Sequence, residues 1–188
     1  MCVGKWGLGG PGTSGSPVNK GFDYFFGYLS QSAAHRYYPE YLYENETKVQ
    51  LDKKVYSHFL IMEKGLDFIK KQKRDQPFFA YFAIPPPHAY LDYPDLSQYE
   101  DAFEETPFIN SNKKGGFKSQ SKPKAAYAAM VSEIDTNVGQ IIALLKKKKM
   151  WDNTIFIFSS DNGVHHVGGH DPDFFDSNGP YRGYKRDL

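Results

Sequence analysis

Four short stretches carry residue types that do chemistry. Asp161-Asn162-Gly163 sets a carboxylate oxygen beside an amide oxygen, followed by a residue that turns the backbone at no steric cost. Hard divalent cations such as Ca²⁺ or Mg²⁺ take oxygen donors of this kind, although the same tripeptide also makes an ordinary turn. Lys5 stands in the glycine-rich run Gly4-Lys5-Trp6-Gly7-Leu8-Gly9, where a compact cation can hold an oxyanion such as phosphate or sulfate. His88 follows Pro85-Pro86-Pro87, and an imidazole near neutrality suits a general acid. Lys185, after Tyr181-Arg182-Gly183-Tyr184, is a second candidate cation. Each has a bland counterpart, a surface lysine or a packed loop histidine.

His165, His166, His170, Asp171, Asp173 and Asp176 crowd the loop after Asp161. Imidazole clusters bind zinc. HHxxxH followed by three spaced aspartates is not a recognised zinc spacing, so a histidine or two facing a substrate is the simpler reading. His35 is undecided by its neighbours.

These residues need elements to hold them. Met1-Cys2-Val3 before the glycine-rich run reads as the end of a buried strand entering a loop, and residues 4–21 have loop composition. Two aromatic stretches follow, 22–28 and 37–43, which suit a core three times more often than a sugar subsite. Asn45-Glu46-Thr47 fits a hairpin tip with Lys48–Leu51 returning. Residues 56–73 predict an amphipathic helix with Phe59, Met62, Leu66 and Ile69 on one face, lysines in its last turn and Pro77 beyond. Residues 78–84 are a continuous apolar run, the pattern of a strand buried on both faces. Residues 92–121, with Gly115-Gly116, predict a long polar excursion of the functional or mobile kind. Pro123 opens the clearest helix, 123–148, with Tyr127, Met130, Ile134, Val138, Ile141 and Leu145 as its apolar stripe. Lys146 to Lys149 read as a solvated helix end. Thr154–Phe158 predicts a further strand. Helix, strand and loop recur in that order, which gives an α/β fold with a largely parallel sheet flanked by helices. In such sheets ligands collect at the carboxyl ends of strands, and Lys5, His88 and Asp161-Asn162 all fall there.

Composition narrows the classes. The chain has 188 residues, enough for one domain with a sizeable core. Its 15 Phe, 14 Tyr and 2 Trp argue against disorder. Lys and Arg exceed Asp and Glu by 23 to 22, so no global field points to nucleic acid or an anionic membrane. No apolar run approaches the ~18 residues of a membrane span. Cys2 is the lone cysteine, which excludes an internal disulfide and a cysteine-rich zinc module. Both ends look cut, and the chain reads as a fragment.

Taken together, the motifs resemble the sulfatase family of the alkaline-phosphatase-like superfamily. The matching stretches are Gly4–Gly9, Gly21-Phe22-Asp23-Tyr24-Phe25-Phe26-Gly27, Pro87-His88, Ile134–Gly139, Thr154–Gly163 and Arg182–Lys185, in the family's order across nearly the whole chain. The resemblance implies residues 1–188 as a partial catalytic domain of a sulfate-ester hydrolase, lacking an N-terminal nucleophile segment and a C-terminal part. It implies Ca²⁺, ahead of Mg²⁺, with Asp161 and Asn162 among its ligands. It implies Lys5 and Lys185 on the sulfate group, and His88 at the scissile oxygen as proton donor. It also implies a sulfated small molecule or glycan as substrate, and a secreted or periplasmic setting.

Three departures accompany it. The formylglycine motif C/S-x-P/A-x-R is absent, and Cys2 in Cys2-Val3-Gly4-Lys5 does not fit it. The pair of aspartates that completes the family's metal site is absent. Gly7 stands where many members carry histidine, and His35 or His165 is the candidate replacement. Two other functions stay open on these residues: a phosphoesterase or phosphonate hydrolase of the same superfamily, and a non-catalytic binder of sulfated glycans.

Overall fold

The computed structural model describes residues 1–112 and 116–187; Gly115 of the expected polar excursion lies outside them. The chain divides into two compact units, residues 1–86 with 135–154, and residues 87–134 with 155–188.

The first unit is built on a five-stranded mixed sheet of order β4-β3-β2-β1-β5. β1 (Cys2–Lys5) lies between β2 (Phe25–Tyr28) and β5 (Tyr81–Ala83), parallel to both. β3 (Tyr41–Glu44) and β4 (Thr47–Gln50) add an antiparallel hairpin on the β2 edge. Asn45 turns that hairpin at φ 53°, a left-handed conformation that asparagine tolerates better than most side chains. Alternation sorts the side chains between the two faces of the sheet. Val3, Phe26, Tyr28 and Leu42 join Ile61 of the first helix in one core, while Cys2, Phe25 and Leu29 form another with Trp6, Phe22 and Tyr43. The aromatic stretch 22–28 therefore packs the core. Burial pushes the Cys2 thiol up to about 12, which leaves it inert at neutral pH.

β1 runs very close to its neighbours. A Cβ on Gly4, at φ +110°, would fall 2.1 Å from the Ala83 carbonyl oxygen, and one on Gly27 would fall 1.9 Å from that of Gly4. Gly4 is in register with both Gly27 and Ala83, and at Gly4 and Gly27 this row of the sheet has no space for a side chain.

Helix α1 (Ser57–Lys71) buries Ser57, His58, Ile61, Met62, Gly65 and Ile69. Met62 and Ile69 of the expected face are buried and Leu66 is half-buried, but Phe59 is 43% exposed, and the small or polar His58 and Gly65 also take core positions. A Cβ on Gly65 would lie 2.3 Å from the Phe82 ring, so the helix approaches β5 where it lacks a side chain. β5 itself is a three-residue strand at the sheet edge, and the run 78–84 is not buried on both faces, since Phe79 and Tyr81 are exposed.

Helix α2 (Pro123–Lys147) gives its first half to the second unit and its last half to the first. In the second unit its opening amides are capped from a distance. The Lys124 and Ala125 N–H groups donate to the two Glu105 carboxylate oxygens at 3.0 and 2.7 Å. A carboxylate there satisfies orphan donors and complements the helix dipole. The polar excursion is thus tied to α2, and Phe108 pairs with Gln120 across it. Residues 154–158 do not form the expected strand: Ile155, Ile157 and Phe158 are exposed, and among the described residues no strand pairs with them. A β-branched run becomes a strand only when a neighbour satisfies its amides and covers its faces.

Candidate active site

Lys5 closes β1 in the first unit, as the sequence predicted, with its main chain in register with Tyr28 of β2 and directly after Gly4, which pairs on both sides. The next loop is held by the Trp6 indole, which donates to the Gly15 carbonyl at 2.7 Å. Gly7 has φ +77°, and a Cβ there would lie 2.3 Å from the Gln31 amide nitrogen. Histidine at this position would be strained, which gives Gly7 a backbone reason. His35 ends the short 3-10 helix Ala33–His35 of the same unit.

The second unit gathers the other candidate groups. Segments 163–165 and 183–185 run side by side. The Lys185 N–H donates to the Val164 carbonyl at 2.8 Å, and a Cβ on Gly163 would meet the Gly183 carbonyl at 2.4 Å. Asn178 spans the pair: its amide donates to the Gly183 carbonyl at 3.0 Å, and its oxygen accepts from the Val164 N–H at 3.4 Å. This frame sets the Lys185 ammonium 3.3 Å from His88 Nε2. His88 Nδ1 meets the Ala89 carbonyl. The two contacts fix the ring: Nδ1 carries hydrogen toward the carbonyl, and Nε2 accepts from the ammonium.

His165 lies behind His88, ring centres 5.9 Å apart. Its Nε2 donates to the Pro87 carbonyl at 3.4 Å, and its Nδ1 accepts from the Val167 N–H at 3.3 Å. Burial holds this imidazole below its usual range, and the Lys185 charge adds to that, against the Pro87 carbonyl. His165 is therefore a neutral wall beside His88 at pH 7.

Of the remaining histidines, His170 meets the His165 ring edge-on, with centres 5.3 Å apart. His166 meets the Tyr184 ring edge-on at 5.7 Å. His170 is buried and stacks on Tyr127 with centres 3.8 Å apart; burial lowers it to about 4. Among the described residues no three His, Cys, Asp or Glu side chains gather to hold a metal. Asp161 and Asn162 are exposed on the loop before Gly163, next in sequence to the segment that pairs with Lys185. Their adjacent oxygens suit a hard cation in kind, and two donors are a minority of the six to eight that Ca²⁺ takes.

Sequence reasoning missed His58, which is wholly buried in α1 and lowered to about 4 by burial. Glu105 was missed too, and no local signal marks a cap that comes from 19 residues upstream of Lys124.

The fold and these residues define a class, and comparison with known proteins agrees with it. The Sulfatase family model matches residues 1–188, and the chain belongs to the sulfatase family. It is 32% identical over 170 residues to the uncharacterized sulfatase YdeN of Escherichia coli K12, covering 90% of this chain and 26% of that protein. It is 29% identical over 198 residues to human N-acetylgalactosamine-6-sulfatase, covering 95% of this chain and 32% of that one. The chain thus spans about a quarter to a third of the length of these curated relatives. In fold it is similar to the crystal structure of Ps i-CgsB in complex with k-i-k-neocarrahexaose, with TM-score 0.66, 24% identity, and 90% of this chain and 39% of that chain covered. The sulfatase yidJ of Bacteroides fragilis gives TM-score 0.64 at 23% identity, covering 89% and 42%. Members of this family use a metal ion. No helix among the described residues is long and apolar enough to cross a membrane.

Proposed function

We propose that residues 1–188 are a partial catalytic domain of an enzyme that hydrolyses sulfate esters, and that they supply part of its sulfate and metal sites. The observation that carries this reading is the His88–Lys185 contact at 3.3 Å, held by the pairing of 163–165 with 183–185. Lys185 brings a fixed positive charge to an ester sulfate, and Lys5 brings a second from the end of β1. Fixed cations stabilise charge that develops in the transition state without solvent reorganisation. His88 Nε2 faces the same charge. When Lys185 turns to a bound sulfate, Nε2 is released to take a proton from water, and the resulting imidazolium gives that proton to the leaving alcohol oxygen and returns to the neutral ring. His165, kept neutral, adds bulk beside His88 without a competing charge. Asp161 and Asn162 would hold Ca²⁺ together with ligands from outside this chain; the ion would draw charge from a sulfate oxygen.

The parent's nucleophile is a formylglycine whose precursor lies outside residues 1–188, so the 188-residue chain by itself turns over nothing. Substrates are sulfated small molecules or sulfated glycans, and the setting is extracytoplasmic. The test is release of 4-nitrophenol from 4-nitrophenyl sulfate by the whole protein that carries this chain. Lys185→Ala and His88→Ala should each lower kcat by roughly 10²–10³. Full activity in either variant, or preferential turnover of a phosphate ester, would overturn the assignment. Tight binding of the sulfated substrate without turnover in the unsubstituted protein would favour a binder instead.

A further inference from the structure

Lys146, Lys147 and Lys149 at the end of α2 are exposed, as expected of a solvated helix end, and they belong to a larger basic cluster. Residues 70–74 and 146–149 contain eight lysines and arginines, more than a third of the 23 in a chain of net charge +1. The two helix ends are joined: the Lys148 ammonium donates to the Lys70 carbonyl at 2.7 Å. Beside this joint lies an open groove of about 470 Å³, lined by Arg74, Lys146, Lys149, Trp151 and Asp152. The Lys146 ammonium stands 5.7 Å from the centre of the Trp151 ring.

Lys149 itself is strained. Its φ is 56°, in the left-handed region. It occupies the residue after α2 that ends helices in the Schellman manner: its N–H donates to the Lys146 carbonyl, and the Met150 N–H donates to the Leu145 carbonyl, both at 2.9 Å. Glycine is the usual residue there, and a side chain costs energy. An outlier of this kind points toward a function for the side chain that is present.

From these observations we propose that the groove is a binding site for a sulfated polysaccharide, lined by residues other than those assigned to ester hydrolysis. Arg74, Lys146 and Lys149 match a chain that carries repeated anions. Trp151 offers a ring face on which a sugar can stack. Asp152 accepts hydrogen bonds from hydroxyl groups, which a sugar chain has throughout and a DNA backbone lacks. The choice of sulfate over phosphate as the anion rests on the proposed activity; the binding itself is read without turnover.

The experiment measures affinity of the 188-residue chain for dextran sulfate, with unsulfated dextran and a single-stranded oligonucleotide of equal charge as comparators. Dextran sulfate should bind, more weakly as salt rises, and dextran should not. Lys146→Glu with Lys149→Glu should weaken binding about tenfold or more at physiological salt. Trp151→Ala should weaken it about threefold or more. Lys20→Glu with Lys54→Glu, an equal charge change elsewhere, should leave it within twofold. Lys149→Gly relieves the left-handed strain, so it should keep or raise the thermal midpoint while lowering affinity. That variant separates loss of a contact from loss of fold. Unchanged affinity in the charge-reversed pair, or an equal fall in the Lys20/Lys54 control, overturns the site. An oligonucleotide that binds as tightly as dextran sulfate overturns the choice of ligand. Hydrolysis is scored separately by sulfate release from the whole protein, so either reading can fail alone.

Discussion

Acid should unfold the first unit through His58. The imidazole is wholly buried within α1, and burial lowers it from 6.5 to about 4, with Asn137 offsetting part of the effect. The folded state therefore prefers the neutral ring, while the unfolded chain protonates below 6.5. The stability tied to this group is complete above 6.5 and is lost as pH falls toward 4. A tenfold difference in proton affinity between the two states is worth about 1.4 kcal/mol, so the loss from pH 7 is about 2 kcal/mol at pH 5 and about 3 kcal/mol at pH 4. Against a typical domain stability of about 5–15 kcal/mol, that is a large share. Urea unfolding of the 188-residue chain at pH 7, 6, 5 and 4, followed by circular dichroism, measures it. His58→Gln and His58→Phe remove the titrating group with different packing costs, and each should flatten the fall between pH 6.5 and 4 by about 2–3 kcal/mol relative to the parent chain. Carboxylates and the other histidines contribute equally to parent and variants, so the difference isolates His58. Parallel curves in parent and both variants would refute the reasoning.

Three other outcomes follow from the same geometry. Gly4→Ala places a methyl 2.1 Å from the Ala83 carbonyl at a positive φ, and should cost about 3–5 kcal/mol, read as a lower urea midpoint. Glu105→Ala removes the acceptor for two opening amides of α2 and should cost about 1–2 kcal/mol, with the first-turn amides exchanging faster in hydrogen–deuterium exchange. Asp161→Ala in the whole protein should raise the Ca²⁺ concentration needed for half-maximal sulfate-ester turnover about tenfold or more, as a lost carboxylate ligand would; an unchanged requirement removes Asp161 from the metal site.

Much of this is readable from residue order. Glycines around Lys5 mark the exit of β1, Asn45 marks the hairpin, and both long helices follow from apolar spacing. The sulfatase family is legible because motifs far apart along the chain keep a family order. What fails does so for physical reasons. The buried face of α1 is read only in part, through Met62 and Ile69, because His58 and Gly65 do not score as apolar, although one packs neutral and the other admits the Phe82 ring. A strand at 154–158 is expected from composition, but β-structure needs a partner, and composition does not supply one. The pairing of 163–165 with 183–185 has no local signal: it rests on Asn178 and two glycines from separate places in the chain. His88 and Lys185 stand out singly in the sequence; that they touch is knowledge from three dimensions alone.

The crowded glycine row has a consequence for entropy. Lys5 follows directly on Gly4, which is locked between two strands with no slack on either side. Its main chain therefore reaches any anion already immobilised. The remaining loss of freedom is in the torsions of its own side chain, at most ~2 kcal/mol. A lysine on a loop would lose backbone freedom as well, roughly 1–2 kcal/mol for each residue it had to order. The tight strand spacing thus acts on affinity from a distance, by settling in advance a cost that binding would otherwise carry.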